Sequence, residues 1–194
     1  MTRNKSAAQQ PVPLSPLPLR ALVSAAPFLA GMFFELFSAA ASLYLIGWLT
    51  FCAKRRGSIT IRLSPGLIAT AVLVLWYAVS AFWAVDHGMA LIGAVKFLPL
   101  PLFVLACGQL EPARRRDLAG LLPESAAVMA VLSFLLGLIP SLREWFYVNH
   151  RLAGFFQYPN TFALYLTLGI PLLLRRARWG IRETVCFAVL LAGT

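Results

Sequence analysis

The segment His150-Arg151-Leu152-Ala153-Gly154-Phe155-Phe156-Gln157-Tyr158-Pro159-Asn160-Thr161-Phe162-Ala163 sets an arginine, a glycine and a Pro-Asn pair at the head of an apolar run. No residue from Leu152 to Leu174 is charged at neutral pH, and those 23 residues are long enough to cross a bilayer. The first third of the run does not suit a helix. Pro159 has no N–H and turns Tyr158 away from the α region, and Asn160 is a residue type that caps helix N-termini. A helix is expected from Thr161 to Leu174, about 21 Å long, which falls short of a hydrocarbon core of roughly 30 Å. The residues before it are therefore expected to form a broken, re-entrant segment, tolerated at membrane depth only where protein or a wet cavity encloses it. A half-helix N-terminus with a fixed guanidinium beside it is the chemistry of an anion site.

Within that segment, Arg151 can hold two phosphate oxygens at once and stays charged at any working pH. Its alternative role is that of an interfacial arginine reaching to lipid headgroups. Asn160 is expected to cap the half-helix, with or without a ligand at the amides it fixes, while Gly154 and Pro159 shape the backbone. Lys96 falls inside another apolar run, about 10 Å from its outer end. Such a lysine turns to a cavity or a partner, for which Asp86 and a bound phosphate are the candidates, or it snorkels outward with no role. Glu35 divides in the same way between a cavity- or partner-facing role and a plain external turn position, and His87 and His150 read as solvated loop residues outside any metal-like cluster.

The elements that must position these residues follow from hydropathy and charge. The chain is 60% hydrophobic, with a mean hydropathy of +0.78, against about 45–50% apolar in soluble domains. An integral membrane protein is the reading. The net charge of +10 does not form a basic face for nucleic acid, because the cations come in short bursts between apolar runs. Cys52, Cys107 and Cys186 are far apart, lack a C-x-x-C spacing and read as core thiols, so no metal site is expected.

Residues 1–18 are polar and then proline-rich, and are expected to form a disordered cytoplasmic tail; a signal peptide with Ala39-Ala40-Ala41 as cleavage site is the competing view. Residues 19–194 are expected to form one all-α, polytopic transmembrane bundle. Ala21–Ala53 has basic residues on both flanks, which calls for two short helices meeting near Gly31–Glu35. Helix three is expected over Pro65–Ala84, helix four over Met89–Cys107, and helix five over Leu121–Ile139 with Pro123 and Glu124 in its first turn. Helix six follows the re-entrant segment. A seventh begins near Glu183 and reaches only about 18 Å by Thr194, so it is expected to be truncated and the bundle incomplete at its C-terminus. In this arrangement the clusters at Lys54–Arg56, Arg114–Arg116 and Arg175–Arg182 face the cytoplasm together with the N-terminus, while Arg143 and Arg151 face outward.

The pattern R-L-x-G-x-F-x-x-P-N-x-x-A over Arg151–Ala163 resembles the signature of the O-antigen ligase and polymerase superfamily of bacterial membrane proteins. Trp83-Ala84-Val85-Asp86, followed by Ala90-Leu91, Gly93 and Lys96, is similar to the helical hairpin upstream of that signature. The resemblance covers most of residues 19–194. It implies transfer of a glycan from an undecaprenyl-pyrophosphate carrier to a glycan or lipid acceptor at the outer face of the bacterial cytoplasmic membrane. It also implies inverting, metal-independent chemistry without a cofactor. Arg151 would then act on the pyrophosphate, with Asn160 and Lys96 also in contact with substrate. The family's large external loop with further Arg and His residues would follow Thr194, so residues 1–194 alone are expected not to transfer glycan. Two other readings compete: a transporter or channel for an anionic solute, and a truncated, non-catalytic membrane protein. The lack of an internal repeat and of a buried carboxylate chain weighs against transport.

Overall fold

Helix starts and stops in this chain are set mainly by proline, glycine and clusters of arginine. The computed structural model describes residues 15–29, 34–176 and 179–194. Helices α1 (Leu17–Leu29) and α2 (Phe34–Arg56) divide the first apolar region in two, with α2, at 23 residues, longer than the short helix expected. Leu17 and Pro18 already belong to α1, whereas the tail up to residue 14 lies outside the described residues. Lys54, Arg55 and Arg56 occupy the last turn of α2, where cations oppose the helix dipole. Gly57, at φ +74°, closes that helix by donating its N–H to the Ala53 carbonyl at 2.8 Å.

Helix α3 (Pro65–Ser80) has proline in its first turn, and the Ser64 hydroxyl accepts the Leu67 N–H at 3.2 Å. It stops four residues before the expected end at Ala84. Phe82 and Trp83 donate to carbonyls three residues back, which tightens the chain into a turn. The expected fourth helix is two helices, α4 (His87–Phe97) and α5 (Pro99–Gly108), and together they make an apolar stretch of 22 residues. Pro99 and Pro101 each remove an N–H that a straight helix would use, so the division falls there.

The fifth helix departs most from expectation. Helix α6 runs over Pro112–Gly137, 26 residues, with Pro112 rather than Pro123 in its first turn. Arg114, Arg115 and Arg116 thus extend the helix instead of forming a loop, since arginine and alanine favour helix at an end that water or headgroups can solvate. Pro123 is buried in the helix interior, and Glu124 lies beyond the reach of the helix start. After α6 come a single turn, α7 (Arg143–Phe146), a two-stranded hairpin of β1 (Tyr147–Val148) and β2 (Arg151–Leu152), and a 3-10 turn at Gly154–Phe156. Helices α8 (Pro159–Leu174) and α9 (Ile181–Gly193) complete the chain. Helix α9 starts two residues before Glu183, whose carboxylate accepts the Gly180 N–H at 3.0 Å.

Helix α6 joins two packed cores. Its first half meets α1, α2 and α5 through Leu19, Leu45, Trp48, Cys52, Ala106 and Leu118. Its second half meets α8 and α9 through Met129, Ala130, Phe162, Leu166, Leu173 and Leu190. Helices α3 and α4 pack mainly on each other, and Gly93 admits the Tyr77 ring where a Cβ would come within 2.5 Å. Much of the remaining apolar surface is uncovered: Leu36 and Leu43 are each 71% exposed and Trp76 is 65% exposed. Surfaces of that kind require a lipid or protein environment. Helix α2, the α4–α5 pair and α6 are each long and apolar enough to cross a membrane, while α1, α3 and α8 are apolar but shorter. The protein is all-α apart from the short hairpin, and membrane-associated.

Candidate functional site

The site begins where α6 ends. A Cβ on Gly137 would lie 2.4 Å from the Tyr147 ring, so the glycine lets β1 fold back onto the helix end. Tyr147 pairs with Leu152 and Val148 with Arg151 in antiparallel register. Asn149 and His150 link the strands with φ of +50° and +61°, two left-handed residues in succession, as a type I′ turn demands. The Ala153 N–H donates to the Phe146 carbonyl at 2.8 Å and continues the ladder by one bond. Arg151 therefore stands on a strand of defined register, exposed, with no ion pair among the described residues.

The next residues are non-helical and enclosed by protein. Gly154 is buried at φ +56°, and an added Cβ would meet the Phe162 ring at 2.5 Å and the Ser133 hydroxyl at 2.8 Å. Phe155 packs edge-on against both Phe146 and Phe28, with ring centroids 5.1 Å and 5.3 Å apart. Phe156 lies against Tyr165 of α8 at 5.3 Å. Gln157 at φ +58° then turns the chain into Tyr158 and the start of α8. Helices α1, α6, α7 and α8 all touch the 3-10 turn, so the irregular backbone is enclosed by protein.

The expectation that Asn160 caps the last of these helices is corrected. Tyr158 is the cap residue, Pro159 takes the first helical position and Asn160 the second, and no side chain caps the start. Proline at the first position costs no hydrogen bond, because that N–H has no helical acceptor in any case, so the helix begins two residues early. Asn160 is exposed and makes no side-chain hydrogen bond among the described residues. Its backbone N–H and that of Thr161 remain in the open first turn, while the Phe162 N–H bonds to the Tyr158 carbonyl at 3.0 Å. Strand β2 lies against α8, so the Arg151 strand and this positive helix end belong to one structural unit. Arg143, expected only to face outward, adds a second cation to this end. Its guanidinium lies over the Tyr147 ring at 5.9 Å and lines a hollow of about 470 Å³ with Gly137, Leu138 and Pro140.

Lys96 is placed elsewhere. Its ammonium is 2.7 Å from the Glu35 carboxylate, in a pair formed between α4 and α2. Asp86, one of the partners considered from sequence beside a phosphate, instead accepts the Met89 N–H at 2.9 Å and caps α4. Helix α4 packs chiefly on α3 and α2, whereas β2 packs on α6 and α8. Lys96 and Arg151 are thus built into different parts of the bundle. The pairing of Glu35 with Lys96 is not visible in local spacing, because 61 residues separate them.

No protein-family model matches the chain, and no curated protein or solved structure matches it either.

Proposed function

We propose that this protein takes part in O-antigen-ligase-like glycan transfer, from a polyprenyl-pyrophosphate carrier to an acceptor at the outer face of the bacterial cytoplasmic membrane. One observation carries the reading: an enclosed non-helical segment joins the exposed Arg151 strand to the uncapped N-terminus of α8. Breaking the bond between sugar and diphosphate builds negative charge on the leaving diphosphate. A guanidinium and open helix amides aimed at that charge would stabilise it more in the transition state than in the ground state. Asn160 contributes through its backbone N–H and an amide side chain free to bond a phosphate or sugar oxygen. Lys96 holds Glu35 and has a structural part in this scheme.

The scheme requires the Arg151 end of the bundle to face outward, with six crossings and a cytoplasmic N-terminus. Single cysteines in a background lacking Cys52, Cys107 and Cys186 test it in intact cells. Cysteines at Ser141 and Val85 are expected to react with a membrane-impermeant thiol reagent, and one at Ser58 only after the membrane is opened. All three positions are exposed, so accessibility reports the side of the membrane. Reversed labelling would remove the outer-face site.

Substitution at Asn160 separates anion binding from helix stability. Asn160→Ala is expected to leave stability nearly unchanged, because the side chain is not the cap. Asn160→Asp is expected to stabilise the helix start by about 0.3–1 kcal/mol through the dipole, yet to lower glycan transfer below that of the alanine variant. A carboxylate there favours the helix and repels a diphosphate. Equal or higher transfer by the aspartate variant would exclude an anion at this terminus.

A further inference from the structure

At the opposite end of α6 from the Arg151 hairpin, the starts of α1, α6 and α9 and the end of α8 surround a cleft of about 800 Å³. Five arginines line it, Arg20, Arg116, Arg175, Arg176 and Arg182, with only two carboxylates, Asp117 and Glu124. Of the two, Glu124 is committed, while Asp117 is exposed and makes no ion pair among the described residues, so the arginines outnumber the free acid. Glu124 accepts from Arg176 at 2.6 Å and also from Arg182, and Glu183 takes a second Arg176 nitrogen at 3.0 Å. Arg176 also donates to the Gly120 carbonyl at 2.7 Å, and its bond to Glu124 is the main cause holding its guanidinium protonated above the ordinary range. This network fixes α8 and α9 to α6 and forms a wall of the cleft. Arg20, Arg116 and Arg175 remain around the opening with no ion pair among the described residues, and Arg116 and Arg175 are exposed. Trp179, 46% exposed, packs on Phe187 of α9 near the end of α8, as aromatic residues do at a membrane–water boundary.

We infer that this cleft binds the phosphodiester headgroup of an anionic phospholipid in the leaflet at this end of the bundle. Apolar helices end here, so the acyl chains of a lipid can lie along α8 while its phosphate meets the unpaired arginines. Guanidinium groups suit such a phosphate because they offer paired donors in one plane. Basic pockets between transmembrane helices recognise acidic headgroups in this way. The inference is independent of glycan transfer and needs only the membrane setting.

Native mass spectrometry of the purified protein with an equimolar mixture of phosphatidylglycerol and phosphatidylcholine provides the test. The wild-type protein is expected to retain phosphatidylglycerol preferentially. The double variant Arg116→Gln/Arg175→Gln is expected to bind it about thirtyfold more weakly, the combined effect of two arginines near a headgroup. A second double variant, Lys54→Gln/Arg55→Gln, removes the same charge from the end of α2, outside the cleft, and is expected to keep the preference. Equal loss in both variants would reduce the effect to general surface charge and overturn the site. So would an unchanged preference in the cleft variant. Inorganic phosphate is the remaining arm: displacement of the lipid by phosphate at comparable concentration would assign the cleft to a free anion instead.

Discussion

Arg151→Lys is expected to lower the proposed glycan transfer by about 10²-fold, the range seen when a transition-state hydrogen-bond donor is removed. The substitution keeps a positive charge but replaces a planar fork by a point charge, so one of the two contacts proposed to a diphosphate would be lost. The effect should fall on turnover of a lipid-linked donor, measured in membranes with an outer-face acceptor. Insertion and stability should not change, because Arg151 is an exposed strand residue and the Val148–Arg151 pairing uses backbone groups alone. Cysteine labelling at Ser141 would verify that the variant keeps its topology. Transfer at the wild-type rate would leave Arg151 as an interfacial arginine that reaches to headgroups, and the anion site would have to be sought elsewhere.

Gly154→Ala is expected to be the most destabilising small substitution in the segment that carries the site. A left-handed φ of +56° disfavours any side chain, and the new methyl would stand 2.5 Å from the Phe162 ring and 2.8 Å from the Ser133 hydroxyl. Backbone strain and overpacking together amount to about 2–4 kcal/mol. Phe162 is fully buried in the core of α6, α8 and α9, which gives the ring little room to retreat. Thermal inactivation in detergent at a fixed scan rate measures the loss. Ser133 offers an internal control, because its hydroxyl is buried without a hydrogen-bond partner among the described residues. Ser133→Ala alone should be neutral or slightly stabilising, since it removes an unsatisfied group worth about 1–3 kcal/mol in desolvation. Combined with Gly154→Ala it should recover part of the damage by relieving the 2.8 Å contact. A Gly154→Ala protein as stable as wild type would mean that the segment does not adopt this turn.

Several features were legible in the residues alone, because they depend on near neighbours along the chain. Gly154 and Pro159 announced a break before α8, and the break is there. Basic residues on both flanks of Ala21–Ala53 called for two helices, and α1 and α2 follow. Hydropathy marked the apolar runs and hence the membrane setting. Local rules failed where two residues could both satisfy them. Pro112 and Pro123 are equally suited to a first turn, and Pro159 competes with Asn160 at the start of α8. The outcome depends on what surrounds each candidate. Helix α6 takes its extra turns because Leu118 can bury in the first core, and it accommodates Pro123 because α8 packs over the proline beside Gly169. Arg178, expected among the basic residues after α8, lies outside the described residues.

Partners distant in sequence belong to the tertiary structure alone. Lys96 meets Glu35 rather than Asp86 because α4 is laid against α2, and Glu124 meets Arg176 and Arg182 because α8 and α9 close on α6. An ion pair between helices depends on the rotation and depth of each helix, and these are fixed by side-chain packing summed over the whole interface. Composition and spacing determined which segments are helical and which charges need a partner; only the packed bundle decided which partner each charge received.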